Sequence, residues 1–476
     1  MYRPVILQAF YISKITTYLK AYKIIDLLFF NKFKSEGIME KFFRLSENKT
    51  TVRQEIIAGA TTFLTMAYIV FVNPAILSAT HMDQGALITA TCLSAIVGTG
   101  LCGVWVNAPF AMAPGMGLNA FFAYTLVLGQ GATWQEALGV VFLSGVIFVI
   151  LTLTGVRKSL IKSIPMELRL AVGAGIGLFI AFLGMQTMGL IVDNPATLVG
   201  LGHFDTKLAL SVIGLIVMIY LEVRNIKGGI LLGILITTVL GIIVGEITLP
   251  KTLMSMPPSI APIAFKLDIL GALKPSLIAS IFSFLFVDLF DSLGTILACA
   301  NEAGLIDENG NVDKIDKVLE ADAAATIVGS LIGTSTVTTF VESASGIAAG
   351  GRTGLTSVTT ALLFFVALFF SPVIGAVPGY ATAPALVIVG VFMFKNLLDI
   401  DLRNLETAIP CFLTIIMMPL TYSISLGLAF GFVSYVLIKI FVGKVKEVPF
   451  ILWIVAVFSF LEVTGLTKSL MSIFMK

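Results

Sequence analysis

Long apolar runs alternate with short polar connections from about residue 51 to residue 442. A helix needs about 20 apolar residues to cross a lipid bilayer, so most of these runs have the length of a membrane span. The pattern predicts fourteen spans, at about 55–79, 85–106, 109–128, 134–156, 169–191, 207–222, 228–248, 275–300, 320–335, 336–350, 356–376, 379–395, 405–421 and 423–442. A further apolar run, 449–465, leaves three alternatives open: it spans, it lies in the membrane interface, or it packs on the bundle.

Two of these runs, predicted spans 3 and 10, contain residues that interrupt a helix. Residues 113–125 read APGMGLNAFFAYT, and residues 333–358 read GTSTVTTFVESASGIAAGGRTGLTSV. Moving the first half of the chain forward by about 226 positions places the first break on the second. Paired interruptions of this kind mark the binding sites of many transporters. We therefore expect an all-α membrane protein built as a 7+7 repeat, which is inverted because seven is an odd number of spans.

The layout divides the chain into five segments. In chain order they are an N-terminal extension that is interfacial or disordered, the first repeat, a polar linker, the second repeat and an apolar tail, at 1–50, 51–248, 249–274, 275–442 and 443–476. The extension shows no signal-peptide pattern. Met39 is an alternative start, because the membrane pattern begins only near Thr51.

Basic residues test the orientation of this map. Cytoplasmic connections of membrane proteins are enriched in lysine and arginine. If the N-terminus is cytoplasmic, most basic residues between spans fall on the cytoplasmic side, and the opposite side holds only Lys207, Lys251, Lys266 and Lys274. The pattern therefore favours a multi-pass protein of the plasma membrane with a cytoplasmic N-terminus.

Composition narrows the class of protein further. The chain is 57% hydrophobic and 12% charged, with a mean hydropathy of +1.01, so lipid must solvate much of its surface. The net charge of +2 gives no basic stripe for a nucleic acid. The four cysteines and two histidines lie apart in the sequence, which predicts no metal site and no other cofactor.

The first break offers groups that suit a ligand. Gly115 and Gly117 allow a non-helical path and close approach of a bound molecule. Asn119 offers both a donor and an acceptor. Unwound backbone inside a membrane is tolerated only where protein or water covers it. The alternative interpretation is a glycine-rich surface for helix packing.

Three acidic residues lie deep inside predicted spans. They are Asp288 and Asp291 in span 8 and Glu342 in the second break, whereas Glu55, Glu136, Glu222, Glu320 and Glu406 lie at span ends or in loops. An ionised acid at the bilayer centre costs about 2.5–3.5 kcal/mol. Asp288, Asp291 and Thr295 share one helix face by spacing. We therefore expect a polar cavity and carboxyl groups that exchange protons, although a single aspartate could instead bridge helices.

Three motifs in correct order resemble the signature stretches of azaguanine-type purine permeases, in the nucleobase–cation symporter superfamily. They are APGMGLNAFFAYT, FVDLFDSLGT (286–295) and TTFVESASGI (338–347), and the runs TTFLTMAYIVFVNPAIL (61–77) and PCFLTIIMMPLTYSISLGLAFGF (410–432) are similar to that family too. The resemblance covers about residues 40–442. One departure is Ser292, where the usual motif has threonine.

The resemblance implies a core domain of spans 1–4 and 8–11 and a gate domain of spans 5–7 and 12–14. It implies transport of adenine, guanine and hypoxanthine, bound between the two broken spans. The residues that match substrate positions are Asn119, Asp291 and Glu342, with Gly117 and either Phe121 or Phe122 beside the ring. Asp288, Asp291 and Glu342 are expected to couple protons. Supporting positions are Gly115, Thr295, Thr339 and Ser343.

Other functions are compatible with parts of this pattern. A carrier of the same plan for xanthine, uracil or an anion remains open, but buried acids disfavour an anion. An ion channel is a more remote alternative. An intramembrane aspartyl protease is disfavoured because Asp288 and Asp291 share one span, so we predict no enzyme. The leading hypothesis is a proton-driven purine importer that works by alternating access, with sodium coupling and a homodimer left open.

Overall fold

The computed structural model describes residues 36–155, 163–248, 250, 252–303 and 314–464. Residues 1–35 of the expected extension and 465–476 of the expected tail lie outside this range. The described chain is mainly helical. The elements up to the linker are α1 (Glu36–Phe43), α2 (Val52–Met66), α3 (Ile69–Leu77), α4 (Gln84–Leu101), β1 (Met112–Pro114), α5 (Met116–Ala120), α6 (Trp134–Leu153), α7 (Met166–Thr187), β2 (Ile191–Asn194), β3 (Leu198–Leu201), α8 (Thr206–Val223) and α9 (Gly229–Val244).

The linker and second repeat continue this pattern. Their elements are α10 (Ile269–Ala272), α11 (Pro275–Ala303), α12 (Ile315–Ile332), β4 (Val337–Thr339), α13 (Ser343–Ala348), α14 (Gly354–Ala367), α15 (Ser371–Gly375), α16 (Gly379–Phe394), α17 (Leu405–Thr421), α18 (Ile424–Phe441) and α19 (Phe450–Val463). Two π-helical segments extend helices of the first repeat, Cys102–Val106 after α4 and Phe121–Gly129 after α5.

Nine helical segments within the described ranges are long and apolar enough to cross a membrane. The shorter apolar helices Met116–Gly129, Gly229–Val244 and Leu405–Thr421 occupy predicted spans 3, 7 and 13. Predicted span 9 needs a correction, because α12 begins at Ile315 and not near residue 320. The earlier start includes charged residues, and it places Asp322 well inside the helix.

The helices pack as two groups, which confirms the core and gate domains. In the core, α6 packs against α11 and α12, while α14 packs against α2 and α4. In the gate, α7 packs against α16 and α17, and α8 packs against α9 and α16. The α7–α16 contact is a close backbone approach, since a Cβ atom added at Gly177 would lie 2.6 Å from the carbonyl oxygen of Gly390. Contacts between the groups include those of α11 with α7 and α18.

The segments that flank the two domains also pack on them. Phe43 and Leu45 bury against Leu355 of the core, so the described part of the extension, residues 36–50, is attached to the core. The helix α19 packs against α18, which is one of the three alternatives for the run 449–465. Between α7 and α8 lies the antiparallel hairpin of β2 and β3, which is not expected from the hydropathy pattern.

The linker lies across the core domain. Thr89 donates its hydroxyl to the carbonyl oxygen of Pro258 at 2.8 Å, and the Asp268 amide donates to Gln135 at 2.8 Å. Lys274 at the end of the linker pairs with Glu136 in the first turn of α6. The neighbouring carboxylate raises the pKa of the Lys274 ammonium group. The linker therefore fixes the start of α11, the helix that carries Asp288 and Asp291.

Candidate functional site

The two predicted breaks meet in the core as a two-stranded antiparallel sheet. Met112 lies opposite Thr339, Ala113 opposite Thr338, and Pro114 opposite Val337. The Gly115 amide extends the pairing by donating to the Thr336 carbonyl at 2.9 Å. A Cβ atom at Gly115 would lie 2.7 Å from the Thr338 hydroxyl oxygen, so the close approach of the strands requires glycine there. The structure thus brings the two breaks into direct contact.

A buried threonine completes the hydrogen bonding of each strand. In an antiparallel pair, alternate residues turn their backbone groups away from the partner strand. Met112 of β1 and Val337 of β4 are such residues. The Thr99 hydroxyl donates to the Met112 carbonyl and accepts from its amide, both at 2.9 Å. The Thr326 hydroxyl donates to the Val337 carbonyl at 3.0 Å and accepts from its amide at 3.2 Å. We call these two arrangements the hydroxyl clamps.

Asn119 lies on α5, directly after the first break. Its side chain is 0% exposed, and neither its amide oxygen nor its amide nitrogen has a hydrogen-bond partner among the described residues. A buried polar group without a partner costs about 1–3 kcal/mol. An amide that is buried but unpaired is therefore a candidate for binding a polar molecule.

Two carboxylates of the expected trio are only half-buried. Glu342 lies directly before α13, at the end of the second break, and accepts a hydrogen bond from the hydroxyl of Tyr68. Asp291 lies on α11, and its side chain forms no hydrogen bond with the described part of the chain. Both carboxylates can therefore accept hydrogen bonds from a ligand's N–H groups.

Asp288 lies in a different environment from Asp291, although the two were expected to share a helix face. Its side chain is 1% exposed and points toward α12, where its Oδ2 atom lies 3.5 Å from the Thr326 hydroxyl. Its Oδ1 atom has no hydrogen-bond partner within the described ranges. Asp288 therefore lies behind the sheet of the two breaks, next to a hydroxyl clamp.

A fourth acidic side chain, Asp322 on α12, is completely buried in the same region. Its Oδ2 atom accepts from the Ser292 hydroxyl at 2.7 Å, and its Oδ1 atom accepts from the Thr339 hydroxyl at 3.2 Å. Asp322 is not among the site residues predicted from the sequence, because the predicted start of this span is too late. A signal was present, since Asp322, Thr326 and Ser330 form a polar stripe at helical spacing.

Glu55 lies in the first turn of α2, at a span end as expected. Its side chain is buried and accepts from the amides of Arg352, Thr353 and Thr356 at 2.9, 3.2 and 3.2 Å. The Thr356 hydroxyl donates to it as well, at 2.6 Å. Glu55 on α2 therefore caps the N-terminus of α14 in the other repeat. This role satisfies the charge locally.

The remaining predicted positions take part in packing. A Cβ atom at Gly117 would lie 2.5 Å from Ile176 of the gate, so this glycine permits close contact between the domains. Phe121 is fully buried, and its ring stacks on Phe284 with 4.6 Å between centroids. The Ser343 hydroxyl accepts from the Ala111 amide at 2.9 Å. Thr295 is half-buried on α11, one turn beyond Asp291.

Among the described residues, no cation forms an ion pair with the acidic groups of the site. The ion pairs between described residues, such as Lys274 with Glu136 and Lys444 with Glu406, lie near helix ends. None of them includes Asp288, Asp291, Asp322 or Glu342. Acidic groups without counter-charges can accept hydrogen bonds from a ligand, or they can bind and release protons.

Comparison with known proteins agrees with this geometry. The profile of the permease family of xanthine and uracil permeases matches residues 53–430. The chain is 46% identical to the guanine/hypoxanthine permease PbuG of Bacillus subtilis (strain 168), over 86% of this chain and 96% of that one. It is 42% identical to the adenine permease AdeP of Escherichia coli (strain K12), over 90% and 96%.

Solved structures show a similar fold at low sequence identity. The transmembrane domain of the cyanobacterial bicarbonate transporter BicA superposes with a TM-score of 0.59 at 15% identity, covering 81% of this chain and 97% of that chain. That fold is the 7+7 repeat expected from the two breaks. The profile match and the two relatives confirm the resemblance drawn from the motifs, and the chain belongs to the xanthine/uracil permease family.

Proposed function

We propose that this protein imports purine nucleobases together with protons, by alternating access of the core and gate domains. The names of PbuG and AdeP, which cover guanine, hypoxanthine and adenine, support the purine class. The observation that carries the proposal is the buried and unpaired amide of Asn119, in a break that is hydrogen-bonded to the one that ends in Glu342.

The chemistry of the site fits a purine. A purine nucleobase is a flat ring with N–H donors and with nitrogen or oxygen acceptors on its edges. Glu342 and Asp291 accept hydrogen bonds when ionised, and Asn119 both donates and accepts. We assign these three side chains to the edge of the ring. Phe121 and Gly117 then shape the site through their packing on Phe284 and Ile176.

We assign proton coupling to the buried carboxyl groups, with Asp288 in the leading role. Asp288 is almost fully buried, and one of its oxygens has no partner among the described residues. Such a group holds a charge poorly, so its ionisation must be linked to a change around it. Gly115, Thr295, Thr339 and Ser343 support the site. We expect the N-terminus in the cytoplasm, the protein in the plasma membrane, and a homodimer as an open alternative.

Uptake by cells that lack their own purine carriers tests this proposal. Labelled guanine, hypoxanthine and adenine are offered to cells with the wild type or with Glu342→Gln, with and without a protonophore. We expect uptake by the wild type, its loss in the variant, and its collapse with the protonophore. Uptake that survives the protonophore but requires sodium would change the coupling ion. No purine uptake by a membrane-inserted protein would refute the substrate class.

A further inference from the structure

The hydroxyl group of Thr326 has two possible acceptors within hydrogen-bond distance but only one proton to donate. It lies 3.0 Å from the Val337 carbonyl and 3.5 Å from Asp288 Oδ2, and both are acceptors when Asp288 is ionised. It also accepts from the Val337 amide at 3.2 Å. A hydroxyl group has one proton and two lone pairs. The proton can therefore go to Val337 or to Asp288, but not to both.

The state of Asp288 decides between these arrangements. A neutral Asp288 can donate its own proton to the second lone pair of Thr326, which leaves the Thr326 proton on Val337. The Thr326 hydroxyl, the Val337 carbonyl and the Oδ2 atom of Asp288 then each have a partner. An ionised Asp288 cannot donate, and among the described residues its Oδ2 atom has no donor other than the Thr326 hydroxyl, while its Oδ1 atom has none. The Thr326 hydroxyl can donate to Asp288 instead of to Val337. The Val337 carbonyl then loses the hydrogen bond that it accepts from Thr326.

Other charged groups around Asp288 do not provide this donor. The elements packed against α11 are α5, α6, α7, α12, α13, α18 and β4. Facing acids are Asp322 on α12 and Asp291 on α11 itself. The remaining charges on these elements lie in first or last turns, except Glu320 in the second turn of α12 and Glu342 directly before α13. Those in first or last turns are Glu136, Glu167, Arg169, Asp316, Lys317 and Lys439. Strand β4 and helix α5 carry no titratable side chain.

The first repeat contains the same clamp without the acid. The Thr99 hydroxyl donates to the Met112 carbonyl and accepts from the Met112 amide, both at 2.9 Å. The Thr326 hydroxyl binds the same two groups of Val337. No carboxyl group within the described ranges is hydrogen-bonded to Thr99. The pair of clamps therefore separates two effects. One is the loss of a clamp, and the other is the loss of its link to an acid.

We propose that Thr326 is a positioning residue that links the proton on Asp288 to strand β4, and hence to the second break of the binding site. Loss of the proton draws the Thr326 hydroxyl away from Val337 and loosens β4 where it pairs with β1. The proton and the ligand site are thereby coupled through one hydroxyl group. This inference rests on the proposed purine–proton symport, and it adds the residue that transmits the coupling.

Binding of guanine to the purified protein, measured between roughly pH 5 and pH 8, tests this link. One linked proton changes Kd by up to about tenfold per pH unit. We expect such a dependence in the wild type and in Thr326→Ser, which keeps the hydroxyl. In Thr326→Val and in Asp288→Asn we expect the change over the whole range to fall below about twofold. Thr99→Val loses the other clamp, and we expect it to keep the pH dependence of the wild type.

Two results of the binding experiment would overturn the inference. One is a Thr326→Val protein that keeps the full pH dependence, and the other is a Thr99→Val protein that loses it equally. If the wild type binds no purine at any pH, the proposed function fails instead. A measurement that needs no substrate then decides the inference alone.

That second measurement is hydrogen exchange of the Val337 amide. We expect exchange at Val337, corrected for the intrinsic effect of pH, to speed up on ionisation of Asp288 in the wild type but not in Asp288→Asn. Exchange at Met112 in the first clamp serves as the internal control and should stay constant in both proteins. Protection of Val337 that does not differ between the wild type and Asp288→Asn contradicts the link, even if Thr326→Val does not fold.

Discussion

Ser292 on α11 donates its hydroxyl to Asp322 on α12 at 2.7 Å, directly beside Asp291. The second oxygen of Asp322 accepts from Thr339 on β4 at 3.2 Å. One buried carboxylate thus joins the helix that carries Asp291 to the strand that leads to Glu342. The two acids assigned to the ligand therefore have a common anchor, and the anchor itself is completely buried.

Replacing Asp322 by asparagine should lower both stability and transport. The amide nitrogen of the new asparagine would replace an oxygen of Asp322 that accepts a hydrogen bond from Ser292 or Thr339. Because that nitrogen is itself a donor, at least one of the two hydrogen bonds must change. A buried polar group that is left without its hydrogen bond costs about 1–3 kcal/mol. The melting temperature of the purified protein and purine uptake measure the effect. Ser292→Thr keeps the hydroxyl and should retain most of both, whereas Ser292→Ala should not.

Tyr68→Phe should weaken purine binding without preventing folding. The hydroxyl of Tyr68 donates to Glu342 and holds that carboxylate in place. Its removal should raise Kd by roughly tenfold, which corresponds to about 1.4 kcal/mol. Calorimetric titration with guanine measures the change. The matched control is Tyr220→Phe at an exposed position of α8. An unchanged Kd in Tyr68→Phe would contradict the assignment of Glu342 to the ligand.

Gly115→Ala should be destabilising, and a second substitution should relieve it. The new methyl group would lie 2.7 Å from the Thr338 hydroxyl oxygen and 3.1 Å from its methyl carbon, but 3.5 Å from its Cβ atom. Overpacking of this kind costs about 1–3 kcal/mol. Thr338→Ala removes the two closer atoms, so the double variant should recover most of the loss in thermal unfolding. Gly294→Ala on α11 meets no atom within 4 Å and serves as the neutral control.

Glu55→Gln should lower the melting temperature while leaving the substrate preference unchanged. One carboxylate oxygen would become an NH₂ group that faces the N–H donors at the start of α14. An unsatisfied buried group costs about 1–3 kcal/mol. Glu47→Gln is the control, because Glu47 forms an exposed pair with Arg44 at 3.7 Å. A shift in the order of guanine, hypoxanthine and adenine would show that Glu55 acts on the site and not only on stability.

The sequence predicts much of the fold because lipid imposes a simple pattern. Each apolar run of sufficient length becomes a helix, and the two places where proline, glycine and hydroxyl residues interrupt the pattern become the strands β1 and β4. The boundary of α12 was predicted too late, because charged residues near Ile315 lower the hydropathy of a helix that the core nevertheless covers. The hairpin of β2 and β3 gives no hydropathy signal at all.

The candidate site was only partly visible in the sequence. Asp288, Asp291 and Asn119 stand out because apolar residues surround them. Thr326 does not, since a threonine in a helix usually bonds within its own helix. Its role depends on which backbone groups of Val337 turn away from β1, and that follows only from the register of the two strands. The packing of the Phe121 ring could not be predicted either, because the Phe284 ring that stacks on it is distant in the sequence.

The most direct test of purine–proton symport uses purified protein in liposomes that enclose a pH-sensitive dye. Guanine, hypoxanthine or adenine is added outside, with no sodium and with the membrane potential clamped. We expect that a purine acidifies the interior as it enters, and that Asp288→Asn abolishes this acidification. Purine accumulation that brings in no protons and depends on a sodium gradient would contradict it.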